Sequence, residues 1–85
     1  MLELEFSNNA RKFLKNSEKD LSLRLIEVIK KLAENPYPAN CKRIEGRLEK
    51  VFRVRVGDYR ILYVVIAENN KLLISDIDKR SKVYD

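Results

Sequence analysis

The sequence predicts an α+β fold in which an N-terminal strand and a two-helix antiparallel hairpin precede a three- to four-stranded antiparallel meander. Three observations predict it. Apolar residues recur with the helical period between Ala10 and Leu32, the period shortens toward two from Lys42 onward, and the turn-forming pairs Gly57-Asp58 and Asn69-Asn70 punctuate the second half. The chain has 85 residues, without repeats, low-complexity tracts or a long linker, so residues 1–85 are read as one domain.

Each element has a local reason. Leu2, Leu4 and Phe6 alternate with Glu3 and Glu5, the pattern of a half-buried strand whose charged side suits a sheet edge. Ser7 is suited to cap a first helix that gathers Ala10, Phe13 and Leu14 on one side. Ser17 is expected to cap the second, which opens on Glu18 and Asp20 and carries Leu21, Leu25, Val28, Ile29 and Leu32 at helical spacing. Lys30 and Lys31 match the negative end of its dipole, and Pro36 enforces an end near Asn35. Beyond Lys42, residues Val51 to Val56, Tyr59 to Ala67 and Lys71 to Ile77 read as three strands joined by the two turns.

Charge narrows the function classes. Eighteen Lys and Arg against thirteen Asp and Glu leave a net charge of +5. Between Lys42 and Arg60 lie seven basic and three acidic residues, so most of the excess sits there. Such a patch suits a phosphate backbone or an acidic protein surface, and equally a solvated, solubilising face. The single cysteine, Cys41, and the absence of histidine exclude a disulfide framework, an ordinary Cys/His zinc site and a Cys–His nucleophile pair. Cys41 reads as incidental, because reactivity needs an activating neighbour. No metal or cofactor is expected. No apolar run approaches a membrane span or a signal peptide, so a cytoplasmic protein without membrane contact is expected.

The hairpin register sharpens the charge argument. With Gly57-Asp58 at the centre of the turn, Val56 opposes Tyr59, Arg55 opposes Arg60 and Arg53 opposes Leu62, and cross-strand partners share a face. Phe52, Val54, Ile61 and Tyr63 then point toward the helices while Arg53, Arg55 and Arg60 gather on the other side. Opposed like charges cost up to about 1 kcal/mol. A sheet that tolerates them is suited to an anion, unless the arginines splay into solvent or pair with Glu3, Glu5 or Glu49. The same logic carried through Asn69-Asn70 places Val64 opposite Ser75 and Ile66 opposite Leu73, both on the arginine face. An apolar floor beside a basic rim suits nucleobases or the hydrophobic side of a partner helix.

Two stretches carry a family resemblance. Lys42-Arg43-Ile44-Glu45-Gly46 followed by Phe52-Arg53-Val54-Arg55-Val56-Gly57-Asp58-Tyr59-Arg60-Ile61-Leu62-Tyr63 resembles the RelE/ParE toxin superfamily, whose members commonly show a K-L-x-G turn and a Y-R-(I/V)-R-x-G-x-Y-R-(I/L)-x-Y hairpin. The segment Asp78-Lys79-Arg80-Ser81-Lys82-Val83-Tyr84 is similar to the closing H-R-x-x-V-Y signature, with Lys79 at the histidine position. For the RelE branch the resemblance implies a type II toxin: a ribosome-dependent endoribonuclease that cleaves mRNA in the decoding site. It further implies a cognate RelB-like antitoxin as silencing partner, with any contact to operator DNA made only through that antitoxin. The resemblance assigns catalytic roles to Arg60, Arg80 and Tyr84 and an RNA-binding role to Arg53 and Arg55, and Lys42, Lys50, Lys79 and Lys82 extend the RNA-binding set.

That set is chemically coherent without histidine. Attack of a 2′-hydroxyl on its neighbouring phosphate needs fixed geometry, neutralised phosphorane charge and moved protons. Arg60 and Arg80 can hold the phosphate bidentately, Arg53 and Arg55 add positive field, and Tyr84 orients or deprotonates the 2′-hydroxyl or stacks on a base. A phenol with a pKa near 10 is a poor base unless nearby cations lower it, so the arginines and Tyr84 form one unit. Glu45 and Glu49, the remaining acid–base candidates near the patch, read as structural or solvated. Slow chemistry without a ribosome follows from the need for a strained mRNA pose. The antitoxin is expected to cover the arginine face with a helix or strand, placing carboxylates over it or displacing the C-terminal segment. The rival reading is a ParE-like toxin that binds DNA gyrase and cuts no RNA, and a third is a non-catalytic nucleic-acid-binding or orphaned toxin-like domain.

Overall fold

The computed structural model describes residues 1–44 and 50–79. Arg80, Lys82, Tyr84, Glu45 and Glu49 therefore lie outside the described residues. Strand β1 (Glu3–Phe6) leads into helices α1 (Asn8–Asn16) and α2 (Lys19–Glu34), and strands β2 (Lys42–Arg43), β3 (Phe52–Val56), β4 (Tyr59–Ile66) and β5 (Lys71–Lys79) follow. The sheet runs β1-β5-β4-β3-β2. The strands β2 to β5 form an antiparallel meander, and β1 joins its β5 edge in parallel. This is the predicted α+β order, with β1 at an edge as its Leu/Glu alternation implied.

Ser7 begins α1 as expected, its Oγ accepting the Ala10 N–H at 3.1 Å. The second cap differs. Ser17 closes α1 instead of opening α2, since its hydroxyl donates to the Phe13 carbonyl at 2.5 Å, while Glu18 occupies the start of α2 without a side-chain cap. A serine between two helices can satisfy either end, and the orphan carbonyls of α1 take it. Ser22 adds a second tie between the helices by donating to the Leu14 carbonyl at 3.2 Å. Helix α2 ends at Glu34, before Pro36.

The apolar stripe of α2 packs against one face of the sheet. Leu25, Ile29 and Leu32 meet Val54, Ile61, Tyr63, Leu72, Ile74 and Ile77 in one buried cluster. Full burial of each such aliphatic chain stabilises by about 1.5–3 kcal/mol, which explains why both helices lie on this face. Tyr63 is fully buried there and donates its hydroxyl to the Pro36 carbonyl at 2.6 Å. Its ring stacks against Phe52, 6.0 Å between centroids. Burial foremost, then the Cys41 thiol, raises the Tyr63 pKa well above that of an ordinary phenol.

The β3–β4 hairpin has the predicted register: Val56 opposes Tyr59, Arg55 opposes Arg60 and Arg53 opposes Leu62. Gly57 adopts φ +60°, as a two-residue turn demands. The next connection departs from expectation. Asn69-Asn70 is not a two-residue turn; Ala67–Asn69 form a short 3₁₀ segment closed by Asn70 at φ 54°, and Ile66 pairs with Lys71. Val64 consequently opposes Leu73 and not Ser75. The displacement is two residues, so Val64 and Ile66 keep the predicted face.

Beyond that point β5 bulges. Tyr63 pairs with Ile74 but Leu62 with Asp76, leaving Ser75 as an extra residue. The bulge is well anchored: the Ser75 hydroxyl donates to the Leu62 carbonyl at 3.2 Å, and the Ser75 carbonyl accepts from Ser7 Oγ at 2.7 Å. Its effect is to change which β5 side chains face which side of the sheet. Ile77 turns to the core opposite Ile61, and Asp76 and Asp78 turn away from it.

Candidate functional site

The face of the sheet opposite the helices collects Arg53 and Arg55 from β3 and Arg60 from β4, because all three occupy the outward positions of a hairpin whose inward positions fill the core. Lys42 joins them as the cross-strand neighbour of Arg53. The sheet alone therefore clusters four of the sequence-predicted residues. Lys50 is exposed just before β3.

Burial separates the arginines. Arg55 is exposed, whereas Arg53 and Arg60 are only 3% and 4% exposed, unusual for a residue type that stays in water unless its charge is compensated. Arg60 stands opposite Asp78, and its Nε donates to Asp78 Oδ1 at 3.1 Å. A charge-assisted bond of this kind offsets part of the desolvation of the guanidinium. Leu62 lies between Arg60 and Val64 on the same face and is nearly fully buried, so the floor beside the basic groups is apolar.

Asp76 and Asp78 are the residues that reasoning from the sequence missed. Simple alternation along β5 would place both on the helix side or require Ile77 to face outward. The signal was present in the apolar spacing: Leu72 and Ile74 are two apart, but Ile74 and Ile77 are three apart, and all three are buried. A step of three inside a period-two strand marks a bulge.

Lys79 falls elsewhere. It opposes Tyr59, on the helix side of the sheet, and lines a cleft of about 820 Å³ with Lys12, Phe13, Glu18 and Tyr59. Tyr59 is engaged edge-on by Phe13 at 5.7 Å. Neither Tyr59 nor Tyr63 shares the arginine face, and Tyr37 is occupied edge-on by Phe52 at 5.1 Å. Among the described residues, then, no tyrosine faces the arginines.

At the far edge Glu5 pairs with Lys71, Nζ to Oε1 2.7 Å, and this bond raises the Lys71 pKa. Glu5, one of the carboxylates expected as an alternative partner of the arginines, thus pairs with Lys71, and Glu49, another, lies outside the described residues. Cys41 is a half-buried free thiol against Tyr63. Among the described residues, no group of three or more His, Cys, Asp or Glu could hold a metal ion, and no helix is long and apolar enough to cross a membrane. The arrangement provides guanidinium groups on a rigid sheet beside an apolar floor, chemistry suited to binding and fixing a phosphodiester.

Comparison with known proteins agrees with this geometry. The family profile described as the ParE toxin of the type II toxin-antitoxin system parDE matches residues 4–84. A curated relative from Methanocaldococcus jannaschii, named as the toxin RelE1, is 36% identical over 61 residues, 68% of this chain and 67% of its own length. In three dimensions the chain is similar to the archaeal RelE–RelB complex from Pyrococcus horikoshii, with a TM-score of 0.80 at 23% identity over 96% of this chain and 98% of that one. It is also similar to the RelBE2 toxin–antitoxin complex of Mycobacterium tuberculosis, with a TM-score of 0.79 at 25% identity over 93% and 98%.

Proposed function

The chain belongs to the ParE toxin family, in the RelE/ParE superfamily, and is a RelE-type toxin of a type II toxin–antitoxin system; on that premise we propose that it is a ribosome-dependent endoribonuclease that cleaves mRNA. The observation that carries the reading is the hairpin register, which puts Arg53, Arg55 and Arg60 on one face of a rigid sheet. Arg60 and Arg80 hold the scissile phosphate, and Tyr84 orients or deprotonates the attacking 2′-hydroxyl. Arg53 and Arg55, with Lys42, Lys50 and Lys82, supply the positive field that draws the backbone in. Tyr84 becomes a useful base only where these cations lower its pKa, so the tyrosine and the arginines act together. Lys79 faces the other side of the sheet and contributes to RNA binding only from outside the arginine face. The protein works where ribosomes and mRNA are, in the cytoplasm.

The solved relatives from P. horikoshii and M. tuberculosis are complexes of a toxin with its antitoxin. By the same logic a RelB-like antitoxin silences this chain, with carboxylates laid over the arginine face, and operator DNA is reached only through it.

The name of the matching family favours one second reading, a ParE-like toxin that binds gyrase. A translation extract separates the two. Cleaved mRNA detected by primer extension, lost in Arg60→Ala, supports the nuclease; intact mRNA with inhibited DNA supercoiling supports the gyrase reading.

A further inference from the structure

The sheet brings to the arginine face a carboxylate that its neighbours in sequence do not announce. Asp78 reaches that face only because Ser75 bulges β5, and there it meets Arg60 directly across the strand pair, Nε to Oδ1 3.1 Å. Arg60 is almost fully buried, while the Asp78 side chain is 28% exposed. The carboxylate takes the Nε edge of the guanidinium, the edge nearest the chain, and a guanidinium is planar. Fixing that edge therefore fixes the direction of the two terminal amino groups. A long arginine side chain otherwise loses rotamer freedom when it must hold one pose, and a preformed partner removes part of that loss before substrate arrives.

We propose that Asp78 is a positioning residue that aims Arg60 at the scissile phosphate, with the Ser75 bulge as the device that brings it there. The proposal rests on the nuclease reading of the arginine face. Asp78 is itself an anion beside an anionic substrate, so its charge opposes RNA binding while its hydrogen bond serves the reaction. These opposite signs make the role separable from a merely structural one. Loss of the carboxylate slows cleavage but does not weaken binding.

The test compares wild type, Asp78→Ala and Asp78→Asn on mRNA-programmed ribosomes, with single-turnover cleavage measured beside the affinity for a short uncleavable RNA carrying a 2′-deoxy scissile position. Asp78→Ala is expected to cleave about tenfold to a hundredfold more slowly, the range a misplaced catalytic group produces, with RNA affinity unchanged or tighter. Asp78→Asn is expected to recover most of the rate, because the amide oxygen still accepts from Arg60 Nε. As a readout independent of activity, the Arg60 Nε–H proton should exchange slowly in wild type and Asp78→Asn and fast in Asp78→Ala.

Wild-type cleavage with an equally fast Asp78→Ala overturns the positioning role and leaves the nuclease reading intact. The same holds if rate and RNA affinity fall together in Asp78→Asn. A wild type that leaves mRNA whole overturns both. Should Asp78→Ala fail to fold, the Asp78→Asn rate and the Arg60 exchange decide alone.

Discussion

Ser7 Oγ donates to the Ser75 carbonyl at 2.7 Å and accepts the Ala10 N–H at 3.1 Å, so one hydroxyl both caps α1 and anchors the β5 bulge 68 residues away. Local helix chemistry and sheet register are thereby coupled. Ser7→Ala loses both bonds, a cost of about 1–2 kcal/mol, and should lower the melting temperature by roughly 5–10 °C. Because the bulge turns Asp78 toward Arg60, the same variant should also slow mRNA cleavage more than an equally destabilising core change such as Ile29→Val. Calorimetry beside a cleavage assay checks this, and a Ser7→Ala protein as stable as wild type would refute it.

Gly57 holds φ +60°, and a Cβ there would come within 3.1 Å of Arg24 Nη2. The arginine tip is flexible and can withdraw, so the strain lies in the backbone. Gly57→Ala is expected to cost about 1–2 kcal/mol, measured by urea unfolding with an unchanged m-value.

Tyr63 supplies a pH dependence. Its folded pKa is raised above the unfolded value near 10, so the native state holds the phenolic proton more tightly than the unfolded one. The contribution is complete below pH 10 and is lost as pH rises above it. Stability should fall steeply on alkaline titration in wild type and less so in Tyr63→Phe. That variant also loses the bond to the Pro36 carbonyl, at about 1 kcal/mol near neutral pH. Since Tyr63 lies on the helix side, cleavage should survive the change.

The two faces of the sheet make an electrostatic prediction. Arg55 lies on the arginine face and Lys79 on the helix side. Arg55→Ala should reduce the slope of log affinity against log salt by about 0.7, the loss of one single-strand phosphate contact. Lys79→Ala should reduce the slope by less, because Lys79 stands outside that face. Filter binding of a short RNA at several salt concentrations measures both, and equal slopes for the two variants would remove the distinction between the faces.

The sequence by itself determined the order of elements, the helix stripe against the sheet and the β3–β4 register, because each depends on neighbours a few residues apart. Leu25, Ile29 and Leu32 repeat with the helix, and Gly57-Asp58 pins its own hairpin, so local pattern is enough to gather Arg53, Arg55 and Arg60 on one face. Tertiary structure alone decided the rest. Ser17 sits between two helices with equal claims on it, and only their packing assigned it to α1. The bulge at Ser75 depends on Ser7, on the Leu62 carbonyl and on the need to bury Ile77, partners distant in sequence whose combined energies no local pattern states. For that reason the basic face was legible in the sequence, and the carboxylate that meets Arg60 within it was not.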